Sequence, residues 1–147
     1  MYKHVDLNKE FFVSHTSSVD IELENNFYNE MSLIDKKLID YYKSITFKIQ
    51  KFYTISCEDT LIGYAKTFSE HNYIFLPEIY ILNEFRNLGL GTFLLQCIRN
   101  DLKNSHFPLR TVTLPSDRTA KNFYEANGIT ARILLMEEKR DKFSNRS

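Results

Sequence analysis

From Asp20 onward, apolar residues recur at steps of three and four: Phe27, Met31, Ile34, Leu38, Tyr41 or Tyr42, and Ile45. Such spacing lines one face of a helix, predicted here through Ile45 with one break near Ser32. The opposite face carries Glu22, Glu24, Glu30, Asp35, Lys36, Lys37 and Asp40 and reads as solvated surface. Ahead of it, residues 2–19 predict one strand, since Tyr2 to Leu7 alternates and Phe11-Phe12-Val13 is a separate short apolar run. Behind it, two β-rich runs, Lys51 to Cys57 and Leu61 to Phe68, flank the polar turn Glu58-Asp59-Thr60 and read as a hairpin.

A second polar break, Ser69 to Asn72, leads into a third strand of the same antiparallel set, Tyr73 to Leu82. Pro77 cannot donate to a ladder, so it belongs at the strand's start, on an edge or at a bulge. The regular part is Glu78 to Leu82, with Glu78, Tyr80 and Leu82 on one face and Ile79 and Ile81 on the other. Next comes Arg86-Asn87-Leu88-Gly89-Leu90-Gly91-Thr92, and then an amphipathic helix, Thr92 to Asn104, with Leu94, Leu95, Ile98 and Leu102 in line. His106-Phe107-Pro108 ends that helix, Leu109 to Leu114 reads as a strand, and Pro115-Ser116-Asp117 breaks it. A further helix from about Asp117 aligns Ala120, Phe123, Tyr124 and Asn127, and Gly128 stands where a left-handed C-terminal cap belongs. Ile129 to Glu137, rich in Ile, Leu and Met, is the last expected strand, and Lys139 to Ser147 reads as a loosely held charged tail.

Composition narrows this picture without redirecting it. At 147 residues, 43% hydrophobic and 26% charged, the chain suits one domain with one core. Acidic and basic residues balance at 19 each, so no overall field draws it to nucleic acid or to an anionic membrane. No segment approaches the roughly 20 apolar residues of a membrane span. The expected location is the cytoplasm. Cys57 and Cys97 lie far apart and read as buried free thiols, and the histidines show no ligand spacing, so no metal is expected.

The stretch from Arg86 to Thr92 is the chemically informative one. Two glycines spaced by one residue let the backbone bend tightly, and the helix start behind them presents unpaired N–H groups with the positive end of its dipole. That is the arrangement of an anion cradle. Arg86-x-x-Gly89-x-Gly91, followed by helix, strand and Asp117-x-x-Ala120-x-x-Phe123-Tyr124-Glu125-x-x-Gly128, resembles the GNAT family of acyl-CoA-dependent N-acyltransferases over roughly Tyr73 to Glu137. The resemblance implies an α/β (α+β) fold: a mixed, mostly antiparallel central sheet, splayed at the cofactor site and flanked by helices.

It also implies acetyl-CoA as co-substrate. Leu88, Gly89, Leu90, Gly91 and Thr92 would hold the pyrophosphate by their N–H groups, with Asn87 in the same loop and Arg86 adding charge at its entrance. The pantetheine arm would pair with the backbone of Tyr80, Ile81 and Leu82, where a bulge offers an N–H to the thioester carbonyl. Phe123 and Asp117 would border the arm. Asp117 replaces the family's usual Asn, and a simple N-cap is the stronger reading of it. Ile129 replaces the common Phe, a matter of packing. Glu78 is the candidate general base, with a strand-start glutamate as its structural alternative and Glu84 as a weaker candidate. Tyr124 matches the family's general acid; its alternative is a core tyrosine on the helix's apolar face.

The activity implied is direct acetyl transfer from acetyl-CoA to a primary amine, on a small molecule or a peptide, without an acyl-enzyme. A non-catalytic acyl-CoA-binding or interaction module of the same fold is the alternative. A nucleotide-binding module is a third reading, but this loop lacks the Lys-Ser/Thr that a P-loop needs. The acceptor is not legible, and neither is oligomeric state, so a homodimer stays open.

Overall fold

Six strands form one sheet in chain order, in a computed structural model that describes residues 2–6, 8–36, 39–40 and 49–138. The strands are β1 (Tyr2–Asp6), β2 (Lys9–Thr16), β3 (Gln50–Cys57), β4 (Thr60–Ser69), β5 (Ile74–Ile81) and β6 (Leu109–Arg110). Neighbours from β1 to β5 are antiparallel, and β6 runs parallel to β5. The helices fully within the described residues are α1 (Ile21–Ile34), α2 (Leu90–Asp101) and α3 (Arg118–Ala126).

Tight turns set the registers. Asp6 pairs with Lys9, with Asn8 at φ 62, and Glu58 and Asp59 take φ 51 and 65 between β3 and β4. Two successive positive φ values match the right-handed twist of a hairpin. On β5, Lys66 faces Glu78 while Phe68 faces Phe75, so Leu76 and Pro77 together oppose Thr67. Proline therefore sits in a bulge, where no ladder bond needs its missing N–H.

The strand alternation sorts the core into two faces. One buries Ile55, Ile62, Ala65, Leu76 and Ile81 against Leu90, Leu94, Leu95 and Ile98 of α2. The other packs Tyr64 and Tyr80 against Leu23, Phe27 and Met31 of α1. At the far end of α2, Asp101 accepts from Tyr2 Oη (2.6 Å) and Tyr53 Oη (2.9 Å), which ties the helix to β1 and β3. Gly63 is where β4 and β5 press closest: a Cβ there would lie 2.4 Å from the Tyr80 carbonyl oxygen and 2.8 Å from both Ile55 and Ile81. Gly63→Ala is expected to cost about 3 kcal/mol, read as a lower urea midpoint at unchanged slope.

Several sequence expectations are corrected. Residues 2–19 hold two strands, because the turn at Asn8 folds the second apolar run back on the first. The break expected near Ser32 falls after Ile34, where α1 ends with Asp35 extended; Leu38, Tyr41, Tyr42 and Ile45 lie outside the described residues, as does the 139–147 tail. Helix α2 opens at Leu90 and ends at Asp101. The expected strand Leu109 to Leu114 keeps only two paired residues, since Val112 and Leu114 turn away to pack on the α1 cluster. So short a β6 offers almost no edge to extend. Ile129 to Glu137 accordingly forms no strand, and Ile133, Leu134, Leu135 and Met136 are exposed.

Candidate active site

The glycine stretch does open a helix. Asn87 and Gly89 take φ 63 and 74, and the first helical bond runs from Phe93 N–H to the Gly89 carbonyl (3.0 Å). The N–H groups of Leu90, Gly91 and Thr92 thus have no carbonyl within the helix to donate to, and Gly89 as N-cap offers no side-chain acceptor. A Cβ on Gly89 would meet nothing within 4 Å, so the turn that precedes these donors is open at that residue. Together with the dipole, that fits a phosphate group.

The two glycines do different jobs. Gly89 supplies the left-handed conformation; Gly91 supplies clearance inside the protein, since its Cβ would lie 3.1 Å from the Phe123 ring. A side chain at Gly91 would press on the Phe123 ring of α3. Arg86 is also engaged inward. Its Nε donates to the Ile81 carbonyl (2.9 Å), a terminal guanidinium nitrogen pairs with Glu30 (2.7 Å), and the group sits 5.4 Å over the Tyr80 ring. Glu30 already balances its charge.

Beside the cradle runs the edge of β5. Pairing with β6 covers only Ile74 and Phe75, so Leu76 to Ile81 have no strand partner on that side among the described residues. Because Leu82 N–H donates to Ile62 (2.8 Å), alternation along the ladder turns Tyr80 N–H toward β4 and Ile79 and Ile81 N–H toward the free edge. Of Tyr80, Ile81 and Leu82, then, Ile81 presents its N–H to the free edge. The Tyr80 ring lies in the core with Phe27 and Tyr64, and Leu82 is half-buried between both clusters.

Helix α3 forms the other wall. The Asp117 side chain accepts from Ala120 N–H (3.0 Å), the N-cap anticipated for it. At the other end Gly128 (φ 80) donates to Glu125 and Ile129 donates to Tyr124, which is the paired-bond left-handed cap. These caps hold Phe123 against Gly91 and leave Tyr124 7% exposed. Burial pushes the Tyr124 phenol up to about 12, eased by the neighbouring Thr111 hydroxyl and reinforced by Asp117. Thr111 Oγ1 in turn donates to the Leu76 carbonyl at the β5 bulge (2.5 Å), which links the phenol's surroundings to the strand edge.

Glu78 lies on the opposite face of the sheet, under α1, and is 1% exposed. Its carboxylate accepts from Tyr64 Oη (2.6 Å) and Tyr28 Oη (3.1 Å) and pairs with Lys66 Nζ (3.0 Å), which also pairs with Glu24 (2.7 Å). Burial raises its affinity for a proton above that of an ordinary carboxylate; the Tyr64 hydrogen bond and Lys66 oppose this, and Glu24 adds to it. Burial, then the charge of Glu78, likewise pushes the Tyr28 and Tyr64 phenols far up, so both are donors.

The structure thus brings Gly89, Leu90, Gly91, Thr92, Phe123 and Tyr124 to one side of the β5 edge and sets Glu78 on the α1 side. Tyr28, Tyr64 and Lys66 were missed from sequence. Tyr64 and Lys66 had one available signal, since residues two apart on β4 share the face that meets Glu78 and Tyr80. Glu24 and Glu30, read as solvated, are instead the partners of Lys66 and Arg86. Glu84 sits in the short turn Asn83–Phe85. Both cysteines are buried free thiols. Among the described residues no cluster of three His, Cys, Asp or Glu could hold a metal, and no helix is long and apolar enough to cross a membrane.

Comparison with known proteins agrees with this fold. A family model described as acetyltransferase (GNAT) domain matches residues 24–134. No curated protein sequence matches. Among solved structures, the aminoglycoside N-acetyltransferase AAC(6')-Iy in complex with CoA is 16% identical, covers 92% of this chain and 99% of its own, and superposes with a TM-score of 0.60. The GNAT family protein SP0256 from Streptococcus pneumoniae is 13% identical over 87% of this chain and 99% of that one (TM-score 0.58). A mutant of the BH1408 protein from Bacillus halodurans is 11% identical over 86% and 98% (TM-score 0.72). At such identities these structures speak for the fold, and the family match carries the assignment: the chain belongs to the GNAT family of acetyltransferases, which are generally acetyl-CoA-dependent N-acetyltransferases.

Proposed function

We propose that this protein, acting as a single domain, moves an acetyl group from acetyl-CoA directly to a primary amine. The observation that carries the reading is the α2 N-terminus, whose first N–H groups have no acceptor within the helix, beside a strand edge with no strand partner among the described residues. Bound there, acetyl-CoA supplies the activated acyl group. Leu88 to Thr92 hold the pyrophosphate, and Ile81 N–H faces the thioester oxygen, where negative charge grows as the amine attacks. The C–N bond forms as the C–S bond breaks. Tyr124, still protonated at neutral pH, donates a hydrogen bond to the departing sulfur. Full proton transfer to a thiolate of ordinary basicity, with pKa about 8.5, would be uphill, so the donor contact is the larger part of its contribution.

An amine of reference pKa about 10.4 must shed a proton to attack, and Glu78 is the base in this account. Glu78 does not itself reach solvent. The half-buried Tyr28 hydroxyl, which donates to it, is the route by which the proton arrives. AAC(6')-Iy was also solved with a bisubstrate analogue, CoA-S-monomethyl-acetylneamine, so an acceptor amine beside CoA has precedent on this fold. A small molecule or a peptide amine in the cytoplasm is the acceptor class here, and homodimerisation is compatible with the fold.

The cradle is tested by calorimetry with acetyl-CoA and with S-acetyl-pantetheine, which lacks the pyrophosphate. Acetyl-CoA is expected to bind at least about 10²-fold more tightly, the worth of two or more charge-assisted hydrogen bonds. Equal affinity would remove the pyrophosphate from the α2 N-terminus.

A further inference from the structure

The surroundings of Glu78 form a built network. On β4, Lys66 stands directly opposite Glu78 in register, so strand pairing itself puts the two side chains on one face. Lys66 Nζ lies 3.0 Å from Glu78 Oε2 and 2.7 Å from Glu24 Oε2 of α1, with its side chain only 16% exposed. The other titratable groups facing Glu78 are the phenols of Tyr64 from β4 and Tyr28 from α1. Beyond the end of β5, Arg86 and Glu30 of α1 balance each other. Two carboxylates therefore share one ammonium, and the cluster carries one negative charge more than it can pair.

That surplus has a chemical consequence. A base bound one-to-one to a lysine would strand a buried, uncompensated cation each time it took up a proton, which is strongly unfavourable. Here the lysine has a second carboxylate. We propose that Lys66 and Glu24 are positioning residues for proton removal by Glu78: Lys66 holds Glu78 as the carboxylate before transfer, and Glu24 remains the counter-ion of Lys66 once Glu78 is protonated. The proton leaving the attacking nitrogen ends on a Glu78 oxygen and is released to solvent after the acetylated amine departs. This inference rests on the reading of Glu78 as the base.

The test needs no acceptor. Following the ¹³C titration of the Glu78 carboxyl, identified by its disappearance in Glu78→Gln, gives its protonation directly in each variant. In Lys66→Met the midpoint is expected to rise by about one pH unit or more, because the opposite charge is gone. Lys66→Arg should restore it to within a few tenths. In Glu24→Gln the midpoint should fall, because a like charge is removed while Lys66 turns wholly to Glu78. Opposite displacements support the proposal, and a midpoint unmoved in both variants overturns it. Should Lys66→Met fail to fold, Glu24→Gln decides alone: Glu24 is already 25% exposed, and a midpoint that rises or stays put overturns the proposal. Full turnover in Glu78→Gln with the displacements intact would instead overturn the base reading, and with it the positioning role.

Discussion

Glu78→Gln is expected to lower turnover by about 10³-fold while leaving acetyl-CoA affinity within a few-fold. The first half follows from chemistry, since an amide has no useful basicity and positioned bases contribute about 10²–10⁴-fold. The second follows from location: Glu78 lies under α1, on the face of the sheet away from α2 and the cradle at its start. The variant keeps nearly the same volume, so the core around Phe27, Tyr64 and Tyr80 has no cavity to fill. It does lose charge next to Lys66, so a thermal melt belongs beside the kinetics. The readouts are single-turnover rates across pH and calorimetric titration with acetyl-CoA. The acidic limb of the wild-type profile should vanish. A profile identical to wild type would place the base elsewhere.

Tyr124→Phe should lower turnover by about 10²-fold, again with cofactor affinity nearly unchanged. A hydrogen bond to a charged group is worth about 1.5–3 kcal/mol, and here it strengthens only as the sulfur departs, so the loss falls on turnover. Unlike Glu78, the phenol lies beside Thr111 and the β5 bulge, with Phe123 as its neighbour on α3. Removing one oxygen from a residue held by two helix caps leaves the packing in place. Unchanged turnover would return Tyr124 to a purely structural role.

These two residues also show what was legible in the sequence. The helix that carries Tyr124 was legible because its signals are local: Asp117 caps it, Gly128 ends it, and each signal lies within a few residues of the element it shapes. The glycine turn and the helix start behind it were legible for the same reason, though the contact of Gly91 with Phe123 was not, because Phe123 lies on another helix. Glu78 was identifiable as a candidate, but the cluster that defines it was not. Tyr64 and Lys66 reach it through hairpin register, and Tyr28 and Glu24 through the docking of α1, both of which depend on residues far apart in the chain. The missing last strand is a pairing failure too. Ile129 to Glu137 has strand composition, but composition cannot show that the neighbouring β6 would be two residues long.

The central claim is that this fold performs amine acetylation and does not merely bind the cofactor. Its most direct measurement is thiol release from acetyl-CoA across a panel of polyamines, amino acids, aminoglycosides and peptides with free N-termini, with calorimetry on the same protein. The account predicts that acetyl-CoA binds and that at least one amine class accelerates thiol release, with the acetylated amine recovered in equal amount. Tight acetyl-CoA binding with no amine-dependent release across the panel would contradict it and leave a cofactor-binding module.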